Sequence, residues 1–195
     1  MVRGDRLIVG ALAGATVVGV YGLAATFSEL MWILPMTLSQ FAFRRASLHP
    51  QTAATSKVWL PLLGATTLLA VMVTLVGRIV IDTVFGAAYA HAADLLPVLA
   101  LAALPMASFY FDSAALNGLG AFRRVATITY AGAAALFAGC AVLIPLYGAM
   151  GAAIASCISY SIMGGWARVA LIGTGKRANS SSIGQRNTDL NGRTS

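Results

Sequence analysis

The sequence predicts an all-α membrane protein, a bundle of about six transmembrane helices of which the first is truncated. The chain of 195 residues is 58% hydrophobic and only 10% charged, whereas a soluble domain typically carries about 25% charged residues. Long apolar runs alternate with short loops, and the basic residues fall on only one side of that alternation. This composition leaves too little polar surface for a protein that faces water on all sides, so it excludes most soluble enzymes.

The apolar runs match the length of membrane spans, since a helix that crosses the hydrocarbon needs about 20 apolar residues. The first run, Leu7–Phe43, has 37 residues and a single charge, Glu29. As one helix it would be about 55 Å long, which is too long for one crossing, so we predict two helices joined by a tight turn near residues 14–19. The predicted spans are residues 3–15, 18–43, 58–84, 94–117, 124–146 and 149–171.

The segments between and after the spans set the organisation of the chain. The loops are short, which predicts antiparallel neighbours in one helical lobe over residues 1–172. Residues 173–195 are rich in Ser, Asn, Gly, Thr and Arg, a composition that predicts a disordered, basic cytoplasmic tail. Arg3 and Arg6 before an apolar run also fit a secretory signal peptide. The apolar sequence that continues through Trp32 favours a membrane helix instead.

The distribution of Lys and Arg predicts the orientation in the membrane. The loops near residues 14–19, 86–93 and 147–151 carry neither residue. The opposite side carries ten of them: Arg44, Arg45, Lys57, Arg123, Arg124, Arg168, Lys176, Arg177, Arg186 and Arg193. Since basic residues of short loops stay in the cytoplasm, we expect both termini inside. The formal net charge of +7 is therefore interpreted as a topological bias, and no nucleic acid is expected as a partner.

Several short motifs follow one another along the chain in an order that resembles a known transporter family. The stretches are Asp5–Gly10, Val18–Tyr21, Val84–Tyr89, Asn117–Gly120 and Tyr147–Ala155. Together they are similar to the C-terminal half of the polysaccharide-biosynthesis flippases, the O-antigen and exopolysaccharide transporters of the multidrug/oligosaccharidyl-lipid/polysaccharide superfamily. Each motif alone is weak, because Gly and Ala are common in membrane helices.

The resemblance implies one lobe of a two-lobe, 12-helix transporter whose N-terminal lobe is missing. It implies translocation of a polyprenyl-pyrophosphate-linked oligosaccharide across the bacterial cytoplasmic membrane, by alternating access driven by an ion gradient. The expected partners are membrane lipid, the lipid-linked oligosaccharide and a separate N-terminal lobe, with no cofactor. The alternatives are a multidrug or lipid II exporter of the same superfamily, and a non-transporting membrane subunit or inactive fragment. No enzymatic activity is expected.

Ionisable side chains inside the spans are the candidates for a substrate or ion pathway, because their insertion costs about 2.5–3.5 kcal/mol at a helix centre. By the resemblance, Arg6 attracts the lipid pyrophosphate and Asp5 takes part in ion coupling. The alternative places both residues at the cytoplasmic flank of the first helix. Glu29 is a candidate for proton or sodium coupling if its carboxylate is unpaired. A hydrogen bond from Glu29 to Ser28 or to a neighbouring helix is equally compatible with the sequence.

Further along the chain, Arg78 and Asp82 are spaced to pair on one helix face near the membrane boundary. In the alternative, Arg78 faces the cavity and contacts phosphate or sugar, to which a planar guanidinium is suited. Asp112 and Asn117 belong to a polar strip that could bind sugar hydroxyls or hold helices together.

Catalytic and metal-binding patterns are absent from the sequence. Cys140 and Cys157 lie within apolar runs and have no metal-ligand spacing. Residues 170–177 do not match a phosphate-binding loop. We therefore expect neither catalytic residues nor metal ligands.

Overall fold

The computed structural model describes residues 4–50 and 58–191, and these residues form helices and turns without any strand. The helices are α1 (Gly4–Ala13), α2 (Ala15–Leu48), α3 (Trp59–Val80), α4 (Ala90–Gly118) and α5 (Phe122–Asn191). A π-helical turn, Ile81–Phe85, and a 3₁₀ turn, Ala87–Tyr89, connect α3 to α4. The predicted all-α fold class is confirmed. The side chains of Asp5 and of residues 175–191 lie outside the described part.

A single glycine joins α1 to α2. Gly14 has φ +84°, in the left-handed region that only glycine occupies at little cost. The two helices then run close together, since a Cβ added at Gly10 would lie 3.2 Å from Val18 Cγ2. The turn predicted near residues 14–19 therefore exists and is one residue long.

The long helix α5 folds back on itself at a second glycine. Gly148 has φ 57° and ψ −133°, so the helix is interrupted there. Ser159 Oγ donates a hydrogen bond to the Gly132 carbonyl at 2.7 Å, and a Cβ added at Gly139 would lie 3.1 Å from Ala155 Cβ. These contacts define an antiparallel hairpin with a first arm (residues 122–147) and a second arm (residues 149–191).

Four helices of the described part are long and apolar enough to cross a membrane. They are Val17–Leu48, Trp59–Phe85, Ala90–Gly118 and Phe122–Thr174. By length and composition the chain is thus a multi-pass membrane protein. The number of six crossings stays a prediction, because α1 has only 10 residues and the hairpin of α5 counts as one segment of 53 residues.

The second arm continues to Asn191, beyond the apolar part of the chain. Its polar composition from residue 173 onward predicts a disordered tail instead. The structure describes the backbone of this extension but no side chain after Thr174. Disorder of the tail stays a prediction.

Helix α4 lies at the centre of the bundle. In its most apolar stretch, 61% of the residues are buried inside the protein, against 17% for α3. The surface of the outer helices is correspondingly apolar, with Leu60, Leu68 and Val84 each more than half exposed. Lipid is a suitable environment for such a surface, because it is as apolar as these side chains.

The bundle has two chemically different ends. At one, the turn end, a groove is lined by Val17, Ala88 and Tyr147, which adjoin the turns at the three glycines Gly14, Gly86 and Gly148. At the other, the basic end, Gly118 of α4 packs against the Phe43 carbonyl of α2, and Arg124 donates a hydrogen bond to Thr174. The arginines Arg44, Arg45, Arg123 and Arg124 all lie at the basic end. The loops that lack Lys and Arg therefore all lie at the same end of the bundle, the turn end.

Candidate functional site

Arg6 and Glu29 form an ion pair between α1 and α2. Arg6 Nη2 donates to Glu29 Oε1 at 2.6 Å, a distance typical of a strong, charge-assisted hydrogen bond. The Ser28 hydroxyl donates instead to the Ala25 carbonyl at 2.8 Å. Glu29 is therefore paired, and of the contacts that the sequence left open, the one with a neighbouring helix describes the structure.

The ion pair lies deep in the bundle but is not enclosed. Arg6 precedes the turn at Gly14 by 8 residues and Glu29 follows it by 15, which correspond to about 12 Å and about 22 Å along their helices. The hydrocarbon core of a membrane is about 30 Å thick, so the contact between the two side chains falls near its middle. The side chains of Arg6 and Glu29 are nevertheless 24% and 31% exposed. One face of the bundle therefore presents both charges near the middle of the membrane.

A narrow crevice beside Glu29 contains further polar groups. Trp32 packs edge-on against Tyr160 of the second arm, with ring centroids 5.8 Å apart. Both Trp32 Nε1 and Ser156 Oγ are buried in this crevice without a hydrogen-bond partner among the described residues. Buried donors are nearly always satisfied in proteins. The crevice thus places two buried polar groups next to the Arg6–Glu29 pair.

A second polar cluster joins α3, α4 and the second arm of α5. The Asp112 side chain is fully buried and accepts two hydrogen bonds, from Arg168 Nη1 to Oδ1 and from Ser108 Oγ to Oδ2, both at 3.3 Å. Trp59 Nε1 donates to Ser108 Oγ at 3.3 Å. The Arg168 guanidinium also contacts Trp59, since its central carbon lies 4.7 Å from the centre of the indole ring. We call these four residues the Asp112 network.

The Asp112 network limits what Asp112 can bind. Both carboxylate oxygens have partners, and the side chain has no exposed surface. In this conformation the carboxylate is not accessible to a sugar, and the geometry favours the alternative in which Asp112 holds helices together. Its partner Arg168 was absent from the sequence-based candidates, because the positive charge was explained by topology. The signal available in the sequence is its position within an otherwise uncharged apolar run between residues 149 and 172.

The remaining candidates lie apart from both clusters. The Asn117 carbonyl accepts the Gly120 N–H at 3.0 Å and so helps to close the turn before α5. The Arg78 side chain is exposed near the turn end. Asp5 lies within α1, and its side chain is outside the described part, so its predicted role is not tested.

The predicted pairing of Arg78 with Asp82 is wrong. Both side chains are exposed, and no ion pair joins them among those of the described residues. Helix α3 passes into a π-helical turn at Ile81–Phe85, and a π-turn contains an extra residue compared with an α-helical turn. The four-residue spacing of Arg78 and Asp82 therefore does not by itself bring the two charges together.

The described residues contain no group of three or more His, Cys, Asp or Glu side chains that could hold a metal ion. Comparison of the chain with family models, with curated proteins and with solved structures finds no match in any of the three. The similarity to polysaccharide flippases therefore rests on the sequence motifs alone.

Proposed function

We propose that the chain is one lobe of a transporter that moves a polyprenyl-pyrophosphate-linked oligosaccharide across the bacterial cytoplasmic membrane. The observation that supports this most is the partly exposed Arg6–Glu29 pair at mid-membrane depth. A charged group at that depth costs about 2.5–3.5 kcal/mol on insertion scales, and such groups normally face a cavity or another part of the bundle. A water-filled cavity between two lobes is what alternating access requires.

The proposed orientation places the basic end in the cytoplasm, together with both termini. The gathering of Arg44, Arg45, Arg123 and Arg124 at one end supports this assignment, because Lys and Arg in short loops determine orientation. The substrate would then enter from the basic end and leave from the turn end.

In the proposed mechanism, Glu29 couples an ion gradient to substrate affinity. While Glu29 is ionised, its carboxylate accepts a hydrogen bond from the Arg6 guanidinium at 2.6 Å. A proton or sodium ion that binds Glu29 weakens this pair, and the guanidinium can then donate to a phosphate oxygen, to which its planar fork is suited. Ion binding and pyrophosphate binding would therefore favour each other.

One observation favours a second candidate, a multidrug exporter with the same architecture. The Glu29 side chain is slightly more exposed than the Arg6 side chain, so the same face could attract a drug cation. The two candidates differ in which charge binds the substrate: Arg6 in oligosaccharide transport and Glu29 in drug export.

The test is complementation of a bacterial strain that lacks its O-antigen flippase, by this chain expressed alone and together with the N-terminal lobe of such a flippase. Surface polysaccharide should return in at least one case, and Arg6→Gln should lower its amount. Arg44→Gln is the matched control, because Arg44 is an exposed arginine at the basic end. Absence of polysaccharide in both cases, with the protein correctly inserted, would contradict the proposed substrate. Resistance to cationic drugs that depends on Glu29 would support the exporter.

A further inference from the structure

A groove at the basic end lies between the two arms of α5 and has a volume of about 350 Å³. The first arm contributes polar side chains and the second arm a largely apolar wall. The lining residues are Arg123, Arg124 and Thr127 of the first arm and Trp166, Val169 and Ala170 of the second. This groove is separate from the Arg6–Glu29 pair and takes no part in the proposed transport mechanism.

The electrostatics of the groove favour an anion. Its lining contains two guanidinium groups and no carboxylate. Arg124 Nη1 donates to the neutral hydroxyl of Thr174 at 2.6 Å, and no ion pair within the described part of the chain involves either arginine. Each guanidinium has five N–H donors, so most of the hydrogen-bonding capacity of the groove is left for a ligand.

The depth of the groove matches the boundary between hydrocarbon and headgroups. Trp166 lies 18 residues after Gly148, or about 27 Å along the second arm. Arg124 lies 24 residues before Gly148, or about 36 Å along the first arm. The hydrocarbon core is about 30 Å thick, and about 40–45 Å with the headgroup regions. Trp166 therefore lies where aromatic residues are enriched at membrane interfaces, and Arg124 lies in the headgroup layer.

The second arginine doublet of the chain also lines a groove at the basic end, but it lies at the opposite end of its helix. Arg44 and Arg45 lie near the C-terminal end of α2, whereas Arg123 and Arg124 lie in the first turn of α5. The helix dipole favours cations at a C-terminus and disfavours them at an N-terminus. The doublet at residues 123–124 therefore gains more from a bound anion than the doublet at residues 44–45.

We propose that the groove between the arms of α5 binds the headgroup of an anionic phospholipid of the leaflet that contains the basic end. Arg123 and Arg124 would donate to the phosphate oxygens, and the lipid chains would lie along Trp166 and Val169. The two apolar side chains are 45% and 69% exposed, which suits an amphipathic ligand better than free phosphate. Basic grooves between membrane helices are a recurrent form of headgroup site.

The experiment measures lipids that remain bound to the purified full chain, by native mass spectrometry after incubation with phosphatidylglycerol, with phosphatidylcholine or with inorganic phosphate. The wild type should retain phosphatidylglycerol over phosphatidylcholine by at least about tenfold. The double variant Arg123→Gln/Arg124→Gln should lose that preference. The double variant Arg44→Gln/Arg45→Gln is the matched control and should keep it.

The double variant Arg123→Lys/Arg124→Lys keeps the charge and should keep most of the preference. The folded state of Arg123→Gln/Arg124→Gln is checked by its circular dichroism spectrum, which should match that of the wild type. Equal loss in both Gln doublets would overturn the proposal, because it would indicate attraction by overall surface charge. An unchanged preference in Arg123→Gln/Arg124→Gln would overturn it as well. Displacement of the lipid by millimolar inorganic phosphate would identify a simple anion site and contradict the lipid assignment.

Discussion

The two polar clusters inside the bundle differ in how completely they are enclosed. In the Asp112 network, the carboxylate is fully buried and both of its oxygens accept hydrogen bonds. In the Arg6–Glu29 pair, one contact of 2.6 Å joins two side chains that are a quarter to a third exposed. The first cluster lies towards the basic end on the central helix, and the second lies near the middle of α2.

This difference separates two uses of charge in an apolar bundle. A fully buried carboxylate with both oxygens bonded holds helices in register and has no free oxygen for a ligand, although its partner Arg168 is 25% exposed. An exposed pair at mid-membrane depth is costly unless it faces water or a partner. We therefore associate the Asp112 network with packing and the Arg6–Glu29 pair with transport.

The largest expected effect comes from breaking the enclosed cluster. Arg168→Ala leaves the Asp112 carboxylate buried without its cation, and breaking a buried pair in this way costs about 3–5 kcal/mol. The free energy of unfolding in detergent or bicelles should fall by about that amount. The double variant Asp112→Leu/Arg168→Met should recover most of the loss, because apolar replacement of a buried pair is often neutral. A single variant as stable as the wild type would show that the network does not hold the helices.

An intermediate effect is expected from Trp59→Phe. This change removes the donor to Ser108 but keeps an aromatic ring near the Arg168 guanidinium. A neutral hydrogen bond contributes about 1 kcal/mol, so the unfolding free energy should fall by about that amount. Trp166→Phe is the control for loss of an indole at an exposed position and should change stability by less than about 0.5 kcal/mol.

The smallest effect on stability is expected from Glu29→Gln, although it should impair transport. An ion pair that is open to water contributes about 0–1 kcal/mol. If the pair instead faced lipid, the unpaired Arg6 would cost several times more. The unfolding free energy of Glu29→Gln therefore distinguishes a face of the bundle that is in contact with water from one that is in contact with lipid. A loss above about 3 kcal/mol would contradict a water-filled cavity.

Much of the fold could be predicted because it depends on local composition. Apolar runs specify the helices, and the length of the first run indicates a turn near Gly14, although α2 alone still has 34 residues. The distribution of Lys and Arg predicts the basic end. The boundaries were less accurate: α2 extends to Leu48 and α4 begins at Ala90, both beyond the predicted spans. The helix α2 continues past the apolar run through Arg44 and Arg45, and Pro50, two residues after its end, is the signal that marks this limit.

The partners within each polar cluster could not be predicted because they depend on helix packing. Arg6 and Glu29 are 23 residues apart, and Asp112 and Arg168 are 56 apart. The one pair predicted from spacing, between Arg78 and Asp82, is wrong, because both side chains are exposed and no ion pair joins them. Arg168 was missed because topology already explained its charge.

The accessibility of position 29 tests the account most directly. In a background of Cys140→Ala/Cys157→Ala, the single variant Glu29→Cys is compared with Val71→Cys in intact membranes. Val71 is 51% exposed on α3 and is 15 residues from the Gly86 turn, as Glu29 is from Gly14, so the two positions have similar depth. A membrane-impermeant thiol reagent should modify Glu29→Cys and leave Val71→Cys unmodified. Equal protection of the two positions would contradict a water-filled cavity at the Arg6–Glu29 face, and with it the proposed transport function.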